Sequence, residues 1–134
     1  MKVFIDTGAF IARFIEKDQY HLQAVELWEL LRQEDAQCVT SNFVLDETFT
    51  LLGRRAGYEF AHERALNLYA SQALTILRPD LDDEMIGLNY FKKYADQSVS
   101  FTDCLSFALM DRIQTQRVFT FDKHFSWAGY QLLQ

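Results

Sequence analysis

Residues 3–6 read Val3-Phe4-Ile5-Asp6, three apolar residues and then a carboxylate. A short apolar run of β-branched and aromatic residues is the pattern of a strand buried on both faces, as in a parallel sheet. The arrangement returns late in the chain, where Val118-Phe119-Thr120-Phe121 runs into Asp122. Residues 37–40 and 75–77 are further strand candidates, and 130–133 make a fifth. Helical spacing fills the intervals. It predicts helices over 9–15 and over 20–31, the latter with Leu22, Val25, Leu27, Trp28 and Leu31 on one broad apolar face. A helix over 43–56 is capped by Ser41 or Asn42 and stopped by Gly57, and another covers 58–70. Asp80 caps a helix that runs to about Tyr94, with Asp83 completing the cap pattern, and a last helix spans 101–114. Strands alternating with helices long enough to cross over predict an α/β fold. The expectation is a three-layer α/β/α sandwich with a central, mostly parallel sheet, and one domain over residues 1–134.

Composition narrows the function. Hydrophobic residues make up 49% of the chain, which excludes a disordered tail as its main character. The net charge of −6 argues against a protein that coats nucleic acid by charge alone, but leaves room for an enzyme that acts through bound cations. Cys38 and Cys104 sit in apolar runs without zinc-site spacing, and read as reduced, buried thiols. The start, MKVFIDTGAF, lacks the basic stretch and long apolar core of a signal peptide, and no apolar run is long enough to span a membrane. A cytoplasmic chain is expected.

The carboxylates carry the chemistry. Asp6 and Asp122 each follow a strand candidate. For either alone a turn or cap role serves as well as a ligand role, but two at equivalent places point to the crevice where open parallel sheets bind ligands. Glu47 has Phe43, Val44 and Leu51 as its helical neighbours, so it lies on or beside an apolar stripe, where an unpaired carboxylate is costly. Asp46 is the more solvated of that pair. Asp103 completes the S-x-x-D pattern of Ser100-Phe101-Thr102-Asp103, and capping alone accounts for it. Two unit charges about 4 Å apart repel by roughly 4 kcal/mol at an effective dielectric near 20, so a converging cluster calls for divalent cations. All-oxygen ligands favour Mg²⁺ or Mn²⁺ over zinc. Such a site suits phosphodiester hydrolysis with one ion or two.

At these residues the chain resembles the PIN-domain ribonucleases, most closely the VapC-type toxins of toxin–antitoxin pairs. The resemblance runs through V-F-I-D-T, V-L-D-E-T-F-T-L-L, S-F-T-D-C-L-S-F-A-L and V-F-T-F-D-K-H-F. It implies that Asp6, Glu47, Asp103 and Asp122 are the catalytic and metal-holding residues, that Mg²⁺ or Mn²⁺ is bound, and that RNA is cleaved. It implies that Thr7, Ser100 and Thr120 support the ligands with their hydroxyls. It also implies a homodimer and a small antitoxin partner. Gly8 stands where the family frequently has a small polar residue and Cys104 where it frequently has alanine, and both are small enough not to threaten the assignment. Lys123, His124 and, less directly, Arg13 are the substrate-contact candidates, and His124 reads as structural or substrate-facing more than as a metal ligand. A processing nuclease or non-catalytic RNA-binding module on the same fold is the alternative. Asp6-Thr7-Gly8 is also an aspartic protease triplet, but that fold is all-β and places more chain ahead of it. A phosphoacceptor domain needs an acidic pair soon after the first strand, and none is present.

Overall fold

A computed structural model describes residues Met1–Gln134. Strands β1 (Lys2–Ile5), β2 (Gln37–Ser41), β3 (Leu74–Leu77), β4 (Arg117–Phe119) and β5 (Gln131–Leu132) form one sheet in the order β3-β2-β1-β4-β5. All four pairings are parallel. Around it lie α1 (Thr7–Phe14), α2 (His21–Gln33), α3 (Asn42–Ala56), α4 (Tyr58–Ala70), α5 (Leu81–Lys93), α6 (Phe101–Arg112) and α7 (Lys123–Trp127). The strand order decides where a ligand can bind. The chain steps from β1 to β2 to β3 on one side, then crosses back over β1 to lay down β4 and β5 on the other. Right-handed crossovers in opposite directions place their helices on opposite faces. Accordingly α1 to α4 pack as one group, and α5, α6 and α7 as another. The reversal leaves a crevice past the carboxyl ends of β1 and β4.

The core explains why the strands read as continuous apolar runs. Val3, Phe4, Ile5, Val118 and Phe119 have no exposed surface. Helix α6 is buried along Asp103–Met110, so it is apolar on every side instead of amphipathic. Its Phe107 stacks on Tyr130 and meets Phe125, Tyr90 and Tyr94 edge-on. Gly57, at φ +97°, separates α3 from α4 in a conformation that side chains rarely adopt. Ser41 caps α3 by accepting from the Val44 N–H, and Asp80 and Asp83 form a reciprocal capping box at α5.

Three expectations change. Helix α1 starts at Thr7, two residues early, so Asp6 directly follows the last strand residue and is the N-cap of the helix, with its side chain making no cap bond. Strand β4 ends at Phe119; the Thr120 hydroxyl bonds the Asp6 carboxylate and the Asp122 N–H, and Asp122 caps the five-residue helix α7. That helix is too short to show a period in sequence. On α2 the buried residues are Ala24, Leu27 and Leu31, while Leu22 is 79% and Val25 44% exposed.

Candidate metal centre

Four separate elements deliver the four carboxylates to the switch-point crevice, a cleft of about 700 Å³. Asp6 enters from the end of β1, Glu47 from the second turn of α3, Asp103 from the first turn of α6 and Asp122 from the cap of α7. Thr7, Ser100, Lys123 and His124 line the same cleft. Asp46, on the far side of its helix turn, is exposed.

The hydroxyls hold this set in place. Thr120 Oγ1 donates to Asp6 Oδ2 at 2.7 Å and accepts from the Asp122 N–H at 3.0 Å, so one side chain ties two of the carboxylates together. Thr7 Oγ1 donates to Glu47 Oε1 at 2.6 Å. Ser100 Oγ accepts from the Asp103 N–H at 3.1 Å, as the S-x-x-D pattern predicts. The reciprocal bond of a full capping box is absent, so the Asp103 carboxylate is left for the cleft. His124 Nδ1 lies 3.1 Å from Asp122 Oδ1 and 3.7 Å from Asp103 Oδ2.

Electrostatics marks the cluster as uncompensated within the chain. Burial pushes the Asp103 carboxyl up to about 9, and the neighbouring Asp6, Asp122 and Glu47 add to the effect. Burial also raises Asp6, to about 6; the Thr120 hydrogen bond opposes that rise, while Glu47 and Asp122 reinforce it. Asp6 is only 5% exposed, and its Oδ1 is buried with no hydrogen-bond partner. A buried carboxylate oxygen without a donor is costly. With a donor set of carboxylates around it, this orphan acceptor is what a divalent cation would satisfy, and the residues fit one.

Arg13 is not in the cleft. Its guanidinium lies 4.9 Å from the Trp28 ring centre, beside a separate cavity of about 570 Å³ between α2, the end of α4 and the β2–β3 edge. It sits in the last turn of α1, well beyond the residues at that helix's start that reach the site.

Several cleft residues carry no sequence signal. Tyr20 stacks on Phe121, with ring centres 4.4 Å apart and planes within 3°. The loop before it is pinned by Asp18, which accepts from the Tyr20 N–H and pairs with Arg55 at 3.1 Å. Trp127, 58% exposed, packs edge-on against His124 at the rim. An aromatic at a helix boundary is indistinguishable in sequence from a core residue, so neither Tyr20 nor Trp127 stands out there.

Residues 3–129 match the PIN domain family. VapC20 of Mycobacterium tuberculosis, described as a 23S rRNA-specific endonuclease, is 33% identical over 131 residues, which cover 96% of this chain and 95% of that protein. A VapC ribonuclease of Archaeoglobus fulgidus is 26% identical over 129 residues, 94% of this chain and 80% of its own. The crystal structure of M. tuberculosis VapC20, titled a Sarcin-Ricin loop cleaving toxin, superposes with a TM-score of 0.87 at 31% identity, over 96% of both chains. The structure of VapBC-1 from nontypeable Haemophilus influenzae shares the fold at a TM-score of 0.70 and 13% identity, covering 100% of this chain and 98% of that one. With its strand order, its crevice and nearly its whole length accounted for in this way, the chain belongs to the PIN-domain family.

Proposed function

We propose that this chain is a metal-dependent endoribonuclease that hydrolyses RNA phosphodiester bonds, and that it is the toxin of a type II toxin–antitoxin pair. The observation that carries the catalytic reading is the convergence of Asp6, Glu47, Asp103 and Asp122 on one crevice, with Asp6 Oδ1 buried and unpaired. The likeness to VapC20 and to a VapC ribonuclease supports RNA as substrate and a small antitoxin as partner. Asp6, Asp103 and Asp122 would hold Mg²⁺ or Mn²⁺, one ion or two, with Glu47 completing the site. A bound divalent ion lowers the pKa of its water and stabilises the leaving oxygen.

The chain's own residues do the rest. Thr120 and Thr7 fix the orientation of Asp6 and Glu47 before any ligand arrives, so the donor set is preorganised. Asp103 carries a proton near neutral pH that it gives up on loading. Lys123 and Arg55 line the same cleft and offer positive charge to phosphates on either side of the cut. Leu81, Met85, Leu88 and Phe91, each at least 45% exposed and spaced by three or four along α5, support a homodimer. No helix is long and apolar enough to cross a membrane. With RNA as its proposed substrate, the chain is proposed to act in the cytoplasm. Residues 1–134 are proposed to act as one nuclease domain.

The test is cleavage of structured RNA by the purified protein with Mg²⁺ or Mn²⁺ and with chelator. Metal-dependent cutting that Asp6→Asn and Asp122→Asn abolish is expected, and full activity in either folded variant would refute the assignment. Expression should arrest growth, with relief by Asp6→Asn; cleavage without arrest would assign a processing role instead.

A further inference from the structure

Helix α7 begins directly after Asp122, and its second residue turns an imidazole back onto the carboxylates. His124 Nδ1 is buried and makes no hydrogen bond, although Asp122 Oδ1 lies 3.1 Å and Asp103 Oδ2 3.7 Å away. A histidine that served only to neutralise these carboxylates would aim its N–H along one of those lines. Here both contacts are close but misaligned, and the ring is held against Trp127 instead. One donor atom from each of Asp103, Asp122 and His124 falls within 4.8 Å of the others. Two ligands bound at about 2.1 Å to adjacent corners of an octahedron are about 3 Å apart, and opposite corners about 4.2 Å. The His124–Asp122 and His124–Asp103 separations of 3.1 and 3.7 Å fall within the span of two ligands sharing one ion. Asp6, 95% buried with its free Oδ1, lines the same cleft and supplies an independent unpaired donor beside this trio, though outside it.

We propose that His124 is a metal ligand, which makes this centre a mixed nitrogen–oxygen site. The inference rests on the metal-dependent reading above and deepens it. Imidazole suits transition ions, whereas Mg²⁺ prefers oxygen donors. The site should therefore favour Mn²⁺ over Mg²⁺ by more than an all-carboxylate cluster does.

The probe is Mn²⁺ alone, bound to the full chain and followed by calorimetry and by pulsed electron paramagnetic resonance. The expected result is a ¹⁴N coupling of directly bound imidazole in the wild type, lost in His124→Gln. Calorimetry should then show Mn²⁺ binding weakened at least about ten-fold, with Mg²⁺ weakened less. Bound Mn²⁺ without ¹⁴N coupling overturns the proposal and leaves the carboxylate centre standing, as does coupling that persists in His124→Gln. If that variant folds poorly, His21→Gln and His62→Gln, which change the other two histidines, decide the assignment: coupling retained in both supports His124, and coupling lost in either overturns it. A wild type that takes up no Mn²⁺ overturns the metal-dependent reading itself, and this inference with it.

Discussion

Replacing Asp6 by asparagine should stabilise the metal-free protein while destroying its metal-dependent activity. Asp6 is 5% exposed, and its carboxyl is held at about 6 against an ordinary 3.8. The native state therefore keeps a proton that the unfolded chain has released. Stability associated with this group is fully present below pH 3.8 and is lost as pH rises through about 6. At roughly 1.36 kcal/mol per pH unit, the gap is worth about 3 kcal/mol above pH 7. Asparagine keeps an oxygen to accept the Thr120 hydrogen bond. It also replaces the charged, unpaired Oδ1 with a neutral N–H₂ group. Several degrees per kcal/mol translate the relief into a rise of on the order of 10 °C in Tm. Calorimetry in chelator between pH 4 and 8 is the assay. The difference between variant and wild type should be near zero at pH 4 and grow through pH 6. With Mn²⁺ added the order should reverse, because only the wild type gains from binding. A variant with a lower Tm at every pH would refute the reasoning, since it would mean that the carboxylate is structurally paired.

The other predictions follow the same geometry. Because Asp103 is held at about 9, metal binding near pH 7 should release a proton, and affinity should rise with pH up to about 9; calorimetry in buffers of different ionisation enthalpy reads both, and pH-independent affinity would contradict the site. Thr120→Val removes the donor to Asp6 Oδ2 and the acceptor for the Asp122 N–H, so it should cost about 1–3 kcal/mol in denaturant unfolding and raise the Asp6 pKa further. Trp127→Ala should leave Tm within about 0.5 kcal/mol equivalent, since the ring is mostly exposed, yet weaken RNA binding by about 1–3 kcal/mol if a base stacks there; unchanged binding would assign the ring to orienting His124 alone.

What the sequence shows of this fold depends on how local the determinant is. The runs 3–5 and 118–119 read as buried strands because both faces of a central strand meet apolar neighbours, and position in the sheet did not need to be known. Gly57 marks a boundary for an equally local reason, its positive φ. The strand order is not local. Only it explains why Asp6 and Asp122, 116 positions apart in the chain, share one crevice. Leu22 and Val25 misled because helical period finds a stripe without saying whether a neighbour covers it. The short α7 shows no period in sequence, so the turn that brings the His124 ring back to Asp122 and sets Trp127 at the rim is not legible there. Arg13 is a substrate-contact candidate by its charge, and charge says nothing about which end of α1 faces the cleft.

Carboxylates at strand ends are common, so their number carries less weight than the way the chain supports them. Each of the four has its own element, and the three hydroxyls at Thr7, Ser100 and Thr120 orient ligands or their backbone without neutralising any charge. A cluster selected for stability would pair its acids with the arginines available. Here Arg55 pairs with Asp18, and Arg112 pairs with Asp83 at the other end of α6 from Asp103. Of the basic side chains that line the cleft, His124 alone comes within 4 Å of a cluster carboxylate, and its Nδ1 makes no hydrogen bond. The chain thus stabilises its peripheral acids with cations and leaves its central acids to a ligand, so that the metal-free fold carries a strain that metal binding removes.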